Sequence, residues 1–180
     1  MKMLTDPPVV SLVGSSGSGK TTFLEKLIPC LVAKGFVVGT IKHDSHGFDM
    51  DIPGKDSWRL KKAGARVSLV ASPFQIGMVR DTDCDRRPDE LAEFFPDVDI
   101  IIAEGYKRAK INKIEVFRRE ISERPVCGND EYLMAMVSDS VPDTEVPCFG
   151  LDQAEAVADF IVSSLNLSAC SAGNQNEAAS

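Results

Sequence analysis

The succession of apolar and amphipathic segments predicts an α/β protein: a single domain with a mainly parallel sheet and helices on both faces. Two observations carry this prediction. Strand-length apolar runs alternate with helical stripes along the chain. Residues 14–21, inside VVSLVGSSGSGKTT, fit the pattern G-x-x-x-x-G-K-[ST] between one such run and one such stripe. The second observation selects the P-loop NTPase type of this architecture.

Each element has its own justification. Val9, Val10, Leu12 and Val13 form the first buried strand. Residues 21–34 carry Phe23, Leu24, Leu27, Ile28, Leu31 and Val32 at helical spacing, and Gly35 stands where a helix ends. Pro29 inside this stretch predicts a kink or an early end. FVVGTI, residues 36–41, is a second buried strand, and polar residues 43–54 are a loop. Residues 55–65 form a short helix capped by Asp56 or Ser57, with Trp58 as its large apolar residue. Residues 66–71 and 75–80 are strands around a Ser-Pro turn, and DTDCDRRP is a solvated loop. Residues 88–95 start a helix with proline in its first turn. DIIIA is the most apolar strand, and further strands fit residues 114–118, 133–137 and 146–149. Residues 152–165 make the last helix. There is no internal repeat and no linker long enough to divide the chain. The domain is expected over residues 1–167, with 168–180 as a tail poor in aliphatic bulk.

The chemistry collects at the strand ends. A glycine-rich loop running into a helix presents backbone N–H groups to phosphate oxygens. The residues for this task are Gly14, Ser15, Ser16, Gly17, Ser18, Gly19, Lys20, Thr21 and Thr22. Lys20 reaches the β- and γ-phosphates, and the Thr21 hydroxyl sits on Mg²⁺. A glycine- and serine-rich turn without a ligand is the plain alternative, against which the complete motif in its strand–loop–helix setting argues. In an open α/β sheet ligands bind beyond the carboxyl ends of the strands. Asp97 and Asp99 precede their apolar run and fall at the wrong end. Glu104 follows it and is the candidate acid for Mg²⁺ or for a water, with Gly105 free to approach the γ-phosphate. An ordinary strand-end carboxylate is the competing reading.

The loop KHDSHGFDMD leaves the sheet at the same end. Within it Asp44 is the candidate for positioning a water and Lys42 for pairing with an anion. His43 and His46, three apart among aspartates, are a weak metal signal, and a solvated polar loop explains them equally well. Lys55, Asp56 and Arg59 read either as a charged helix start or as part of a site. Asp139, in VSDS after a strand, offers an acceptor to the N1 and N2 donors of guanine, or simply caps a turn. The common guanine-reading N/T-K-x-D tetrapeptide is absent.

Composition bounds the function. The 180 residues, 43% hydrophobic and 26% charged, suit a soluble globular domain. A net charge of −7 argues against general nucleic-acid binding. Five scattered cysteines without a C-x-x-C pair suggest reduced thiols. With no membrane-length apolar run, a cytoplasmic protein is expected.

Together GSSGSGKTTFLEKLIP, TIKHDSHGFDMDIPGKDSWRLKKAGA, DIIIAEGYK, KIEVFR and the late VSD resemble the bacterial molybdopterin-guanine dinucleotide biosynthesis protein B family, MobB. The similarity runs from about Val9 to Leu165. The phosphate loop alone is widely shared; the ordered combination with D-x-P-G-K-D-S-x-R-x-x-x-A-G-A and AEGYK is selective. The resemblance implies a GTP- and Mg²⁺-binding protein, dimeric, with weak GTP hydrolysis. Such proteins assist a partner nucleotidyltransferase, the molybdenum cofactor guanylyltransferase, that joins GMP to Mo-molybdopterin. By this analogy the phosphate-loop residues carry over as the nucleotide site and Glu104 as the strand-end acid, while the role of residues 49–59 stays open. Tyr106 departs from the Phe common in the family. Two other readings are weighed: a P-loop small-molecule kinase with Arg86 and Arg87 in a lid, and a nucleotide-binding carrier module without relevant turnover.

Overall fold

The computed structural model describes residues 7–169. Most of the expected tail, residues 170–180, lies outside them. Six parallel strands make the main sheet in the order β2-β5-β1-β6-β7-β8. They are β1 (Val9–Val13), β2 (Val38–Lys42), β5 (Ile100–Glu104), β6 (Asn112–Phe117), β7 (Leu133–Ser138) and β8 (Cys148–Phe149). From β1 the chain steps to β2 on one side, returns to β5 between them, then places β6 on the other side. The direction of winding therefore reverses at β1, and the crevice for ligands opens beyond its carboxyl end.

Every β1 side chain is buried, and the pleat sends alternate residues to opposite faces. Val10, Leu12, Ile100, Ile102, Ile114, Val116, Ala135 and Val137 meet α1 (Lys20–Ala33) and α4 (Ala154–Leu165) on one face. The helices contribute Phe23, Leu27 and Leu31, and Val157, Ile161 and Leu165. On the other face Val9, Ile41, Ile101 and Ala103 pack with Leu91, Ala92 and Phe95, which belong to the short α3 (Pro88–Leu91) and the 3₁₀ turn after it. Beside them Val13, Phe117, Leu133 and Met136 are covered by Cys127, from the loop between β6 and β7.

Two expectations on helices are corrected. Helix α1 continues through Pro29 to Ala33, because the burial of Leu24, Leu27 and Leu31 outweighs one missing backbone bond. It closes after Lys34 with Gly35 N–H donating to Val32 O (2.9 Å) and Phe36 N–H to Leu31 O (3.2 Å), the paired bonds of a Schellman ending. In α2 (Asp56–Lys62) the N-cap is Lys55, and no side chain caps the helix. The Ser57 hydroxyl is drawn back to Asp51 Oδ1 at 3.1 Å instead.

The described residues form two compact units. The first takes the chain up to His43 and from Arg87 onward; the second is Asp44–Arg86. The second unit was not anticipated as separate. It contains α2 and an antiparallel pair, β3 (Val67–Ala71) with β4 (Ile76–Arg80), which makes its own two-stranded sheet. Lys61 pairs with Asp81 at 2.6 Å, Arg66 pairs with Asp83, and the Ser68 hydroxyl donates to Ser57 O at 3.2 Å. No described helix is long and apolar enough to cross a membrane.

Candidate functional site

The loop between β1 and α1 is shaped by what cannot fit at Gly14. That residue has φ +141°, and a Cβ there would lie 2.3 Å from Val116 O and 2.9 Å from Ser18 Oγ. The loop thus leaves β1 pressed against β6. Gly17 (φ +77°) and Gly19 (φ +91°) turn the backbone again, with open space where a side chain would stand. Ser15 is half-buried, Ser16 is exposed at the crest, and Ser18 is buried. Its Oγ has no hydrogen-bond partner among the described residues. Gly19 is the N-cap of α1 and no side chain caps it, so the first-turn N–H groups, including those of Thr21 and Thr22, stay available to an anion.

Lys20 folds over this loop, its Nζ donating to Ser15 O (2.8 Å) and Gly14 O (3.2 Å). Burial pushes its ammonium below the ordinary lysine range. The Glu104 carboxylate opposes that shift, while nearby Lys42 and Lys107 add to it. Three cations around one carboxylate make a locally positive floor.

Parallel pairing puts Glu104 opposite Leu12 of β1 on one side and Lys42 of β2 on the other. The Thr21 hydroxyl donates to Glu104 Oε2 at 2.8 Å, and Lys42 Nζ lies 3.7 Å from Oε1. The next turn is tight: Gly105 has φ +105°, and a Cβ there would sit 3.1 Å from His43 Cβ. Gly105 N–H donates to Leu12 O (3.0 Å), and Ser11 Oγ donates to Gly105 O (2.5 Å). Tyr106 follows with φ +53°, its ring centroid 4.3 Å from that of His43. Phosphate loop, Lys20, Thr21, Glu104 and Gly105 are therefore brought together.

Asp139 stands at a different strand end. Asp139 follows β7, where Oδ2 accepts from Arg118 Nε (3.2 Å) and Oδ1 from Arg119 N–H (3.4 Å), tying the exits of β6 and β7. Asp44 opens the second unit, and its Oδ1 accepts from His46 N–H at 2.8 Å. No cluster of metal-ligating side chains occurs among the described residues.

Sequence reasoning passed over Lys113 and Glu115, two charges on one face of central strand β6. Both are only 1% exposed. Lys113 Nζ reaches Asp130 at 2.6 Å and lies over the Tyr132 ring. The Glu115 carboxyl accepts from Val126 N–H (2.5 Å) and Cys127 N–H (2.8 Å). Burial pushes that carboxyl up, partly opposed by the two N–H groups, and raises the Cys127 thiol to about 11. The available signal was KIEVF, whose charges fall two apart inside an apolar strand.

Sheet order, switch point and loop geometry define a P-loop NTPase fold. A sequence model of the family described as molybdopterin guanine dinucleotide synthesis protein B (MobB) matches residues 9–139, and the chain belongs to that family. A molybdopterin-guanine dinucleotide biosynthesis adapter protein of Escherichia coli is 37% identical over 162 residues, covering 86% of this chain and 91% of that protein. Its counterpart in Haemophilus influenzae is 36% identical over 156 residues, covering 86% and 87%. The crystal structure of Bacillus subtilis MobB superposes with a TM-score of 0.71 at 27% identity, covering 89% of this chain and 98% of that one.

Proposed function

We propose that this chain is a GTP-binding adaptor of molybdopterin guanine dinucleotide synthesis with weak GTP hydrolysis. It works beside the nucleotidyltransferase that attaches GMP to Mo-molybdopterin. The observation that carries the reading is the Thr21 Oγ1–Glu104 Oε2 contact at 2.8 Å, set below an uncapped helix N-terminus with Lys20 folded across the loop.

The residues fit a magnesium–triphosphate. Backbone N–H groups of residues 14–22 and the Lys20 ammonium suit phosphate oxygens, and the orphaned Ser18 hydroxyl lies beneath the same loop. A hydroxyl and a carboxylate, at Thr21 and Glu104, suit a hard divalent cation that keeps most of its water. Bound Mg²⁺ supplies charge neutralisation on the phosphates. Lys20 and Lys42 hold the anion, Gly105 leaves room beside it, and Asp44 is our candidate for orienting a water. Asp139 is the candidate guanine acceptor, which requires Arg118 to release it. No arginine is assigned to the transition-state charge, in keeping with slow turnover.

A kinase lid is disfavoured by Arg87, which is tied to Asp89 through Nε–Oδ1 at 3.0 Å. We further place the seam of a homodimer on the β3–β4 sheet, where Leu69, Val70, Ile76 and Met78 are exposed.

Equilibrium binding of GTP and ATP with and without Mg²⁺ tests the reading. GTP preference is expected, with Lys20→Ala weakening it by roughly 100-fold. Hydrolysis measured with and without the transferase separates the adaptor from a carrier without turnover. Full GTP affinity in Lys20→Ala, or a preference for ATP, would overturn the assignment.

A further inference from the structure

At the carboxyl ends of β5, β6 and β7 lies a cavity of about 710 Å³. It is of the size that takes a whole metabolite. Lys107, Arg108, Arg119 and Arg124 all line it, and all four are exposed. The acids in the same wall are Glu123, Asp130 and Asp143, and Asp130 is held by Lys113 at 2.6 Å. Four cations thus face two uncommitted carboxylates, a local excess of two positive charges in a chain of net charge −7. That inversion is hard to reconcile with a merely solvated surface. Guanidinium pairs match the forked oxygens of a phosphate monoester better than a point charge does.

The remaining wall is mostly apolar, with Asn129 as its polar side chain. Phe117, Pro125 and Pro142 offer flat surface, and Phe117 is itself anchored in the core beneath the sheet. The loop carrying Arg124 cannot swing freely, because the next two peptide N–H groups, of Val126 and Cys127, are bonded to buried Glu115. The two buried charges of β6 thus anchor the wall: Lys113 holds Asp130, and Glu115 holds the peptides of Val126 and Cys127. Lys107 comes three residues after Glu104, so the cavity and the strand-end acid are served by the same turn after β5.

We propose that this cavity is a second anion site that takes a phosphate-monoester metabolite alongside the nucleoside triphosphate, with Arg119 and Arg124 gripping the phosphate. That this metabolite is a pterin phosphate rests on the adaptor reading; the site itself rests on the cations and the pinned loop. Two anionic substrates held at the carboxyl ends of one sheet are what a protein serving a nucleotide-transfer reaction needs to present.

Calorimetric titration of the full chain with a pterin bearing a side-chain phosphate monoester tests this, with and without saturating GTP. One equivalent is expected to bind in both conditions. Arg119→Ala/Arg124→Ala is expected to lose about tenfold in affinity for the probe while keeping its GTP affinity and its melting temperature. Lys20→Ala is expected to lose GTP and keep the probe, so loss of the nucleotide reading and loss of this one are told apart. The proposal is overturned if wild type fails to bind the probe, if GTP displaces it mole for mole, or if the folded double-arginine variant binds as wild type does. It is overturned equally if the dephosphorylated pterin binds as well as the ester, or if inorganic phosphate competes on equal terms, which would mark a free-anion site.

Discussion

At Gly14 the phosphate loop has no freedom to change residue. Its positive φ and the Val116 carbonyl, 2.3 Å from any Cβ, act together, and a backbone carbonyl in a central strand cannot step aside. Gly14→Ala should destabilise the fold by roughly 2–4 kcal/mol. Gly17→Ala, which meets only open space, should lose about 1 kcal/mol from backbone strain alone. Denaturant midpoints of the two variants check this, and equal losses would contradict it. Glu115 permits a test by pH. Its carboxyl titrates above the ordinary 4.5 in the fold, so the folded state holds the proton more tightly than the unfolded chain. The stability it contributes is complete below pH 4.5 and declines as pH rises through the folded value. Glu115→Gln replaces one of two acceptor oxygens with a donor facing an N–H, at a cost of about 1–3 kcal/mol. The gap between wild type and variant should narrow as pH rises across that window, and a widening gap would reverse the assignment. Thr21 and Glu104 were legible because a motif and a strand-end rule fix their places. Lys113 and Glu115 were not, since a charge in a strand ordinarily marks the solvent face, and only the covering loop reverses that.

Among the elements, those with a long buried run were legible nearly to the residue. β1 is apolar except for Ser11, and β5 is apolar up to Glu104, because both faces of a parallel strand are covered. Helix α1 runs on past Pro29 to Ala33 because local propensity is weaker than a packed stripe. The proline is exposed on the outer side of the helix, so its ring contributes little packing. Pro29→Ala restores a backbone donor inside the helix and should stabilise the protein by about 1–2 kcal/mol, after allowing for the greater entropy of the unfolded chain. A rise in melting temperature with unchanged GTP binding is the expected result. A fall would mean that Pro29 fixes a bend the core requires. The β3–β4 hairpin is legible as two strands, but its standing as a separate sheet is not. Alternation and propensity report what a segment prefers locally and say nothing about which strand it pairs with.

For the molecule as a whole, the exposed hairpin is the feature that a single copy leaves unresolved. Phe74 is 95% exposed and Ile76 72%, beside Leu69 and Val70, in a two-stranded sheet whose side chains are almost all open to solvent. Such a sheet is marginal in water by itself, and charge pairs such as Lys61–Asp81 add little at a surface. A second copy of the chain would cover those side chains and supply the missing burial. If the proposed seam lies there, Leu69→Glu/Ile76→Glu should shift the light-scattering mass of the wild type toward that of a monomer. Amide exchange should quicken across residues 44–86 and stay unchanged in β1, β5 and β6, whose cores belong to the other unit. GTP affinity should survive in the monomer, because Lys20, Thr21 and Glu104 meet without any residue of the hairpin. A dimer that persists with both charges in place would move the seam to another surface, and loss of GTP binding on dissociation would mean that the partner copy completes the nucleotide site.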